Sequence, residues 1–520
     1  MKKPFLFLLL LGQVTLSAQH GLLDTDFDTD GIKLADLIGG EDFAGAEVQA
    51  DGKIVAVGTY PLGLESQLLV MRFLPNGSHD MAFNGGTGYQ AIDFDTTNDN
   101  VNIGEDVLIQ PDGNIVVVGW SRIGAGDDMT IARLLPDGTL DSTFHSDGKF
   151  SFNLGVGSPH EDCSAVAMDG SGNYYMGGTH HNGTAANSFI VLKLDPAGNL
   201  EPSFAGSGVD TFAVTVGGEA LRDLILLQDG RILCGGIGNL ILPDSDFGLL
   251  MLKPDGNPDS TFSTDGRLAT HVLGIRDGAM TLAQQADGKI VAGGYAGGEI
   301  SRDLALVRYT LTGALDLSFD GDGIATYDLD MEGKEEIING IVMQPDGKIL
   351  LAGATTESAE TISFVGRYHA DGTPDATFGT GGFTVTDVAL FNDEARGIAL
   401  QEDLKVVTVG WANGKGFVAR YLSGLVLSSP DPQGNAPLTL YPNPVQDNAT
   451  LKCQLAQPGP VEIHLTDLAG RVLHTFRTEA HMAAGTHEFA LHLPEGLAAG
   501  EYLVVMACTQ GNLAMKLLKI

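Results

Sequence analysis

The sequence predicts an all-β protein, a seven-bladed β-propeller with composite ring closure followed by a small Ig-like β-sandwich. Three observations carry this. An Asp-Gly turn followed by an apolar strand recurs seven times at intervals of 57 to 61 residues. An acidic residue three positions before a Phe recurs seven times as well, out of phase with the first marker. Glycine is 70 of 520 residues and charged residues are only 18%, a composition that suits short strands and tight turns.

The chain opens on a basic Lys2-Lys3, an apolar run from Phe5 to Leu11, and small residues Ser17 and Ala18. That order predicts a secretory signal peptide over residues 1–18. The run is too short for a membrane span, and no later segment has 18 uninterrupted apolar residues. Export is therefore expected, without membrane insertion. Lys and Arg total 29 against 66 Asp and Glu, a net charge of −37. Self-repulsion on that scale sets aside nucleic acid and anionic membrane surfaces as partners.

The first marker runs through Asp51, Asp112, Ser171, Asp229, Asp287, Asp346 and Asp403. The second pairs Asp24 with Phe27, Asp80 with Phe83, Asp141 with Phe144, Glu201 with Phe204, Asp259 with Phe262, Asp316 with Phe319 and Asp375 with Phe378. One unit reads as four strands, here called a to d. In the second unit they fall near 104–110, 114–119, 129–135 and 148–154. The first hairpin turns on Asp112-Gly113, where glycine accepts the positive φ the turn needs. A single four-stranded sheet cannot bury both faces, so such units stack side by side.

The phase offset determines closure. The chain begins with the tail of a unit, and the seventh unit stops after strand c near Tyr421. Residues 31–38 are then the missing strand d, and a ring over residues 20–424 follows. An open β-solenoid is the alternative. The units resemble the delta-60 repeat, a family of extracytoplasmic repeats with a DGKI…G…R…DG…LD..F pattern. The departures are Ser171 in the third unit, Met251 in place of a basic residue in the fourth, and Leu404 in place of glycine in the seventh. The family brings no established chemistry with it.

Residues 425–437 read as a Pro/Ser/Gly-containing linker, and the period ends there. Residues 438–520 hold five basic and seven acidic residues, so the acidity belongs to the ring. VEIHLTD, RVLHTF, HEFALHL and EYLVVMA alternate as strands of a small sandwich. This tail resembles the type A C-terminal sorting domain of the type IX secretion system. The resemblance runs through Tyr441-Pro442-Asn443-Pro444, Asp467 to Val472, Gly485-Thr486-His487, Gly500-Glu501-Tyr502 and Met515 to Ile520. It implies a cargo of a Bacteroidota-type bacterium, secreted or held at the outer cell surface via the periplasm. The translocon would be its partner through residues 438–520, with the tail usually removed. A generic carbohydrate-binding or spacer module is the alternative for the tail.

No nucleophile elbow, phosphate loop or zinc helix is present. Four cysteines, Cys163, Cys234, Cys453 and Cys508, are too sparse for a disulfide scaffold and read as buried thiols. Cys453 with Cys508 is the pair worth testing. Ten residues before the turn marker, six units carry a carboxylate, Glu41, Glu161, Glu219, Asp277, Glu336 and Asp393, with Asn102 in the second unit. Such a ring around one mouth favours a cation or basic ligand. Alternatively, each member accepts backbone N–H bonds in its own blade.

The same mouth receives the variable b-to-c loops. Trp120, Tyr295 and Trp411 lie eight residues after the marker, where they could stack on a sugar, grip a peptide, or cover blade ends. Asp26, Asp28 and Asp30 form a DxDxDG string that opens like a calcium loop, although its twelfth position is Leu37. Calcium is the one cofactor considered, and plain turn chemistry is the alternative. His180-His181 reads as a solvated pair in a loop. The expected function is a binding or adhesion propeller for a glycan or surface protein, working as a monomer because the ring closes on itself. A polysaccharide lyase or hydrolase using Glu161, Glu219 and Glu336 as acid and base, or a purely structural surface protein, are the rivals.

Overall fold

The computed structural model describes residues 20–519, apart from 38–39, 96–100, 125, 156–159, 182, 184–186, 240–243, 299–300, 330–333, 358–359, 390, 425, 428–437, 456, 467–471, 495, 499 and 509–510. The expected signal peptide, most of the expected linker and the Asp467 to Arg471 stretch of the tail lie outside the described residues.

Seven four-stranded antiparallel sheets form the blades. Their a strands are Asp42–Val48, Asn102–Ile109, His160–Met168, Ala220–Leu226, Arg276–Gln284, Glu336–Met343 and Asp393–Leu400. These strands touch one another in cyclic order, the seventh against the first. The last blade is composite. Ile32–Leu34 supplies its d strand, pairing antiparallel with Lys415–Tyr421 at Ile32↔Ala419 and Leu34↔Phe417. In the second blade the remaining strands are Ile115–Ile123, Gly126–Leu134 and Lys149–Phe152, within a few residues of the sequence expectation.

Strands b and c of every blade are buried almost throughout, which is why they read as continuous Val, Ile and Leu runs rather than alternating patterns. Strand a alternates because one of its faces lines the central tunnel.

Every a strand carries a β-bulge at the same place, between Phe43/Gly45, Gly104/Asp106, Cys163/Ala165, Leu221/Asp223, Ala279/Thr281, Ile338/Gly340 and Ala395/Gly397. A bulge bends the strand and pushes one carbonyl towards its partner. The partner residue is the glycine that closes each DGKIVAVG-type marker. A Cβ on Gly178 would lie 1.8 Å from the Asp162 carbonyl oxygen, and a Cβ added at any of the other six glycines would lie 1.9 to 2.0 Å from the equivalent oxygen. The repeated glycine is thus a steric demand of the bulge.

A second repeated device binds blade to blade. Arg72 on strand c donates from Nε to Asp80 at 2.8 Å and from Nη1 to the Pro136 carbonyl of the next blade at 2.5 Å. Its guanidinium lies 4.4 Å from the Phe83 ring centre, and that ring fills the space a Cβ on Gly138 of the next blade would need. Arg133, Arg308, Arg367 and Arg420 repeat the arrangement with Asp141, Asp316, Asp375 and Asp24. The fourth unit's Met251 leaves this place without a cation, and Arg231, the residue before strand b, reaches Asp259 at 3.1 Å instead. In the third unit Lys193 stacks on Tyr175. Arg420 closes the ring: Asp24 and Phe27 come from the chain's start, and its Nη1 donates to the Pro75 carbonyl of the first blade.

The tail folds as two facing sheets. One contains Val426–Leu427, Gly511–Lys519, Gly500–Cys508, Gly459–Thr466 and Val472–Met482, and the other Leu438–Tyr441, Asn448–Leu455 and Gly485–His492. Leu451, Ile463, Val504 and Leu517 are among its core residues. Val426–Leu427, inside the segment expected to be linker, pairs in parallel with Leu513 and Ala514. Among the described residues no disulfide is formed, and Cys163, Cys234 and Cys453 are buried.

Replacing Gly178 by Ala should destabilise the protein by about 3 kcal/mol or more, because the backbone it meets cannot retreat. Gly63, whose added Cβ would meet nothing within 4 Å but whose φ is +76°, should cost only about 1 kcal/mol as Ala. Chemical denaturation of both variants checks the ordering.

Candidate functional site: the tunnel and its upper mouth

The a strands run from the b-to-c loop face, here the upper face, down to the Asp-Gly turns. The expected carboxylate ring sits at the head of these strands. The structure places its members between blades: Glu41, Asn102, Glu161, Glu219, Asp277, Glu336 and Asp393 are all between 0% and 3% exposed. For Glu219, Asp277, Glu336 and Asp393 the bonds hold the loop that enters the residue's own a strand. Thr215 N donates to Glu219 at 2.6 Å, Val272 N and Leu273 N to Asp277 at 2.6 and 3.0 Å, Leu329 N to Glu336 at 2.8 Å and Val388 N to Asp393 at 2.7 Å. Asn102 does the same for Phe94 N at 3.1 Å, and Glu161 accepts from His180 Nδ1 at 2.8 Å. Burial pushes the Glu41 carboxyl up to about 7 and Asp393 up to about 6, and raises Glu161, Glu219 and Asp277 as well. Glu161, Glu219 and Glu336 are buried and are not among the described residues that line the lumen.

The lumen is lined by a different set of side chains. A cavity of about 620 Å³ between the a strands is bounded by Glu47, Glu105, Asp106, Asp162, Asp223 and Glu394, against two cations, Arg222 and Arg396. Arg396 is already engaged, with Asp42 and Glu394 both at 3.3 Å, and Asn339 Nδ2 donates to Glu394 at 3.1 Å. Asp106 and Asp223 stand on bulges and accept N–H bonds across the blade junction, from Val166 at 2.9 Å and Leu282 at 2.7 Å. Desolvation within the tunnel pushes Asp106 up to about 7 and Asp223 to about 6, and raises Glu47, exposed to the lumen but enclosed by the a strands, to about 7. Glu105 reaches about 7 through burial first and then the negative charge of Asp162. Like charges facing one another across a narrow passage attract a cation of either protein or small-molecule origin.

The three aromatic residues separate. Trp120 stands in the tunnel wall. Trp411 borders a side cavity of about 300 Å³ with Glu41, Asp42, Thr59 and Pro61. Tyr295 is covered by the Arg302 guanidinium, 4.6 Å from its ring centre. His180 and His181 lie on a strand and bond to Glu161 and to Asp162, at 2.8 and 3.1 Å, so they belong to the rim rather than to a solvated loop.

The Asp26, Asp28 and Asp30 string is a turn in this structure. Asp28 pairs with Lys33 at 3.3 Å, Asp30 accepts from Ile32 N at 3.0 Å, and Asp26 is exposed. Among the described residues, one group brings three metal-ligating atoms within 4.8 Å of one another, Asp246, His271 and Asp277. Three backbone N–H groups already use the Asp277 oxygens, and His271 Nδ1 lies 3.3 Å from one of them.

The lumen carboxylates escaped sequence reasoning because they follow no period. Three residues after the ring position the units carry Ala44, Glu105, Ser164, Arg222, Met280, Asn339 and Arg396, six residue types over seven blades. A position that varies inside a strict repeat was the available signal.

Five of the seven units, residues 49–83, 110–144, 227–262, 285–319 and 344–378, match a family model described as a domain of unknown function (DUF5122) beta-propeller. The unmatched units are the third and the seventh, which carry Ser171 and Leu404 at the turn. Residues 439–519 match a secretion system C-terminal sorting domain. No curated protein matches the chain. Among solved structures, the chain is similar to PorZ, a surface component of the type IX secretion system of Porphyromonas gingivalis, at 16% identity and a TM-score of 0.42 over 94% of this chain. It spans 60% of that protein's length. It is also similar to a PL25 ulvan lyase, at 10% identity and TM-score 0.40 over 78% of this chain and 94% of that one. A protein of unknown function from Dyadobacter fermentans gives 12% identity and TM-score 0.39, covering 75% and 98%.

The raised lumen carboxyls set a pH dependence. The folded chain holds these protons more tightly than the unfolded chain, so stability falls as pH rises from the ordinary carboxylate value of about 4.5 through about 7. Asp375, held low by Thr377, Arg367 and Lys348 against the effect of its burial, works in the opposite sense only in strong acid. The melting temperature should therefore be higher near pH 5.5 than near pH 8. Glu47→Gln with Glu105→Gln should flatten that slope, and differential scanning calorimetry across the range checks both.

Proposed function

We propose that this chain, built of DUF5122 β-propeller repeats and carrying a secretion-system C-terminal sorting domain, is a binding protein whose acidic tunnel mouth holds a lysine- or arginine-bearing segment of a partner protein. The sorting domain marks the chain for the cell surface or the extracellular space, which is where the propeller would meet that partner. The observation that carries the reading is the charge of the lumen, six carboxylates against two guanidinium groups in one cavity.

The chemistry fits a cationic side chain in three ways. Glu105 lines the lumen as an acceptor for an ammonium or guanidinium group, and Asp162 and Glu394, which hold His181 and Arg396, add negative charge beside it. Trp120 supplies an aromatic wall, which favours a cation over a neutral ligand. The partly protonated carboxyls would ionise on meeting a positive charge, so binding releases protons and strengthens as pH rises through about 7. The rigid ring fixes these groups, while the variable b-to-c loops supply the contacts that select one partner.

Titration of the purified protein with an oligolysine peptide tests this. Binding should weaken steeply with added salt, and Glu105→Gln or Glu394→Gln should each lower affinity by about fivefold to tenfold. Tighter binding of a neutral oligosaccharide, insensitive to salt and to both substitutions but lost in Trp120→Ala, would replace the basic ligand with a glycan.

A further inference from the structure

The lower end of the tunnel opens into a second cavity of about 800 Å³, which shares Glu47, Ile341 and Ile398 with the lumen above it. Its rim includes Leu400 and Leu404 of the seventh blade and, from the C-terminal sandwich, Leu503 and Lys516. Leu404 is the residue that replaces glycine in the seventh turn. It keeps the turn's bond, donating from its N–H to the Gln401 carbonyl at 2.8 Å just as Gly52 does to Gln49. It also keeps the left-handed backbone, at φ +66°, a conformation that a branched side chain adopts rarely.

That side chain is only 3% exposed, and it packs with Leu503, Val505 and Ala514 of the sandwich in a small apolar cluster of their own. The sandwich strands show why these residues are available. Along Gly500–Cys508, Val504 and Met506 face the sandwich core, so Leu503 and Val505 point to the other side of the sheet. On the neighbouring strand Met515 and Leu513 face the core and Ala514 faces out. An outward apolar row of this kind would be exposed in an isolated sandwich. Here Leu404 and Leu400 cover it, and Lys516 adds an ion pair with Glu402 at 3.6 Å.

We propose that the C-terminal sandwich is the built-in occupant of the propeller's lower mouth, locked there by Leu404. While the sandwich is docked, Leu503 and Lys516 stand at the lower entrance of the lumen beside the seventh blade. Undocking or removal of the sandwich uncovers Leu400 and Leu404 and widens that entrance. This does not depend on what the upper mouth binds.

The test uses the full chain with Leu404→Gly, which restores the residue found at this turn in the other blades, and Leu503→Asp, which places a charge on the outward face of the sandwich. Both should leave the circular dichroism spectrum and the propeller's melting transition in place. Both should speed amide hydrogen exchange in residues 400–404 and 503–505 by about tenfold and enlarge the radius of gyration in solution scattering. Leu404→Met should behave as the parent chain. Unchanged exchange and scattering in both variants would overturn the proposal, as would a uniform rise in exchange across the propeller, which would make Leu404 a folding residue instead of a docking one.

Discussion

The arginine that joins strand c to the carboxylate of its own blade and to a carbonyl of the next is the interaction on which the ring depends. A seven-fold ring has seven such junctions, and each must hold a buried cation without leaving its charge unpaired, since breaking one partner of a buried pair costs about 3–5 kcal/mol. The chain meets the requirement by different means where the repeat fails. Arg231 reaches across from just before strand b when Met251 removes the fourth arginine, and Lys193 uses the Tyr175 face. At the seventh junction the acid and the ring come from the opposite end of the chain, as Asp24 and Phe27. Composite closure is therefore more than one borrowed strand, because the staple that seals it also spans the two ends.

Bulge and glycine form the second constraint, and they shape the lumen. Each bulge turns the a strand so that a residue which would otherwise alternate away faces the tunnel or a neighbouring blade. Asp106 and Asp223 occupy that place in the second and fourth blades and tie themselves to the blade that follows. Glu47 and Glu105 face the passage without a bond to the following blade, and desolvation raises their carboxyls to about 7, as it does that of Asp106. Scaffold and site thus share the same strands but not the same residues.

The fold was legible because its determinants repeat. The turn aspartates, the closing glycines and the Asp-x-x-Phe units gave seven strand sets and the phase offset that requires Ile32–Leu34 to finish the last blade. The site was legible only in part. Repetition drew attention to Glu41, Glu161 and their counterparts, which are buried where every blade needs a loop acceptor, and away from Glu105 and Glu394, which appear once each. Ser171 and Leu404, the two departures at the turn, have separate meanings: Gly172 keeps the third turn intact, while Leu404 carries a contact to the tail. No period could have shown that contact, because it joins the propeller to a domain built on a different plan.

Residues near the start of the chain close the ring, and hydrogen exchange on a protein with Asp24→Asn and Phe27→Ala shows whether they do. Protection should be lost first and together in Ile32–Leu34, Lys415–Tyr421 and the first blade's a strand, Asp42–Val48, with blades three to five little changed. Protection that falls evenly around all seven blades, or that does not fall at all, would contradict closure by this staple.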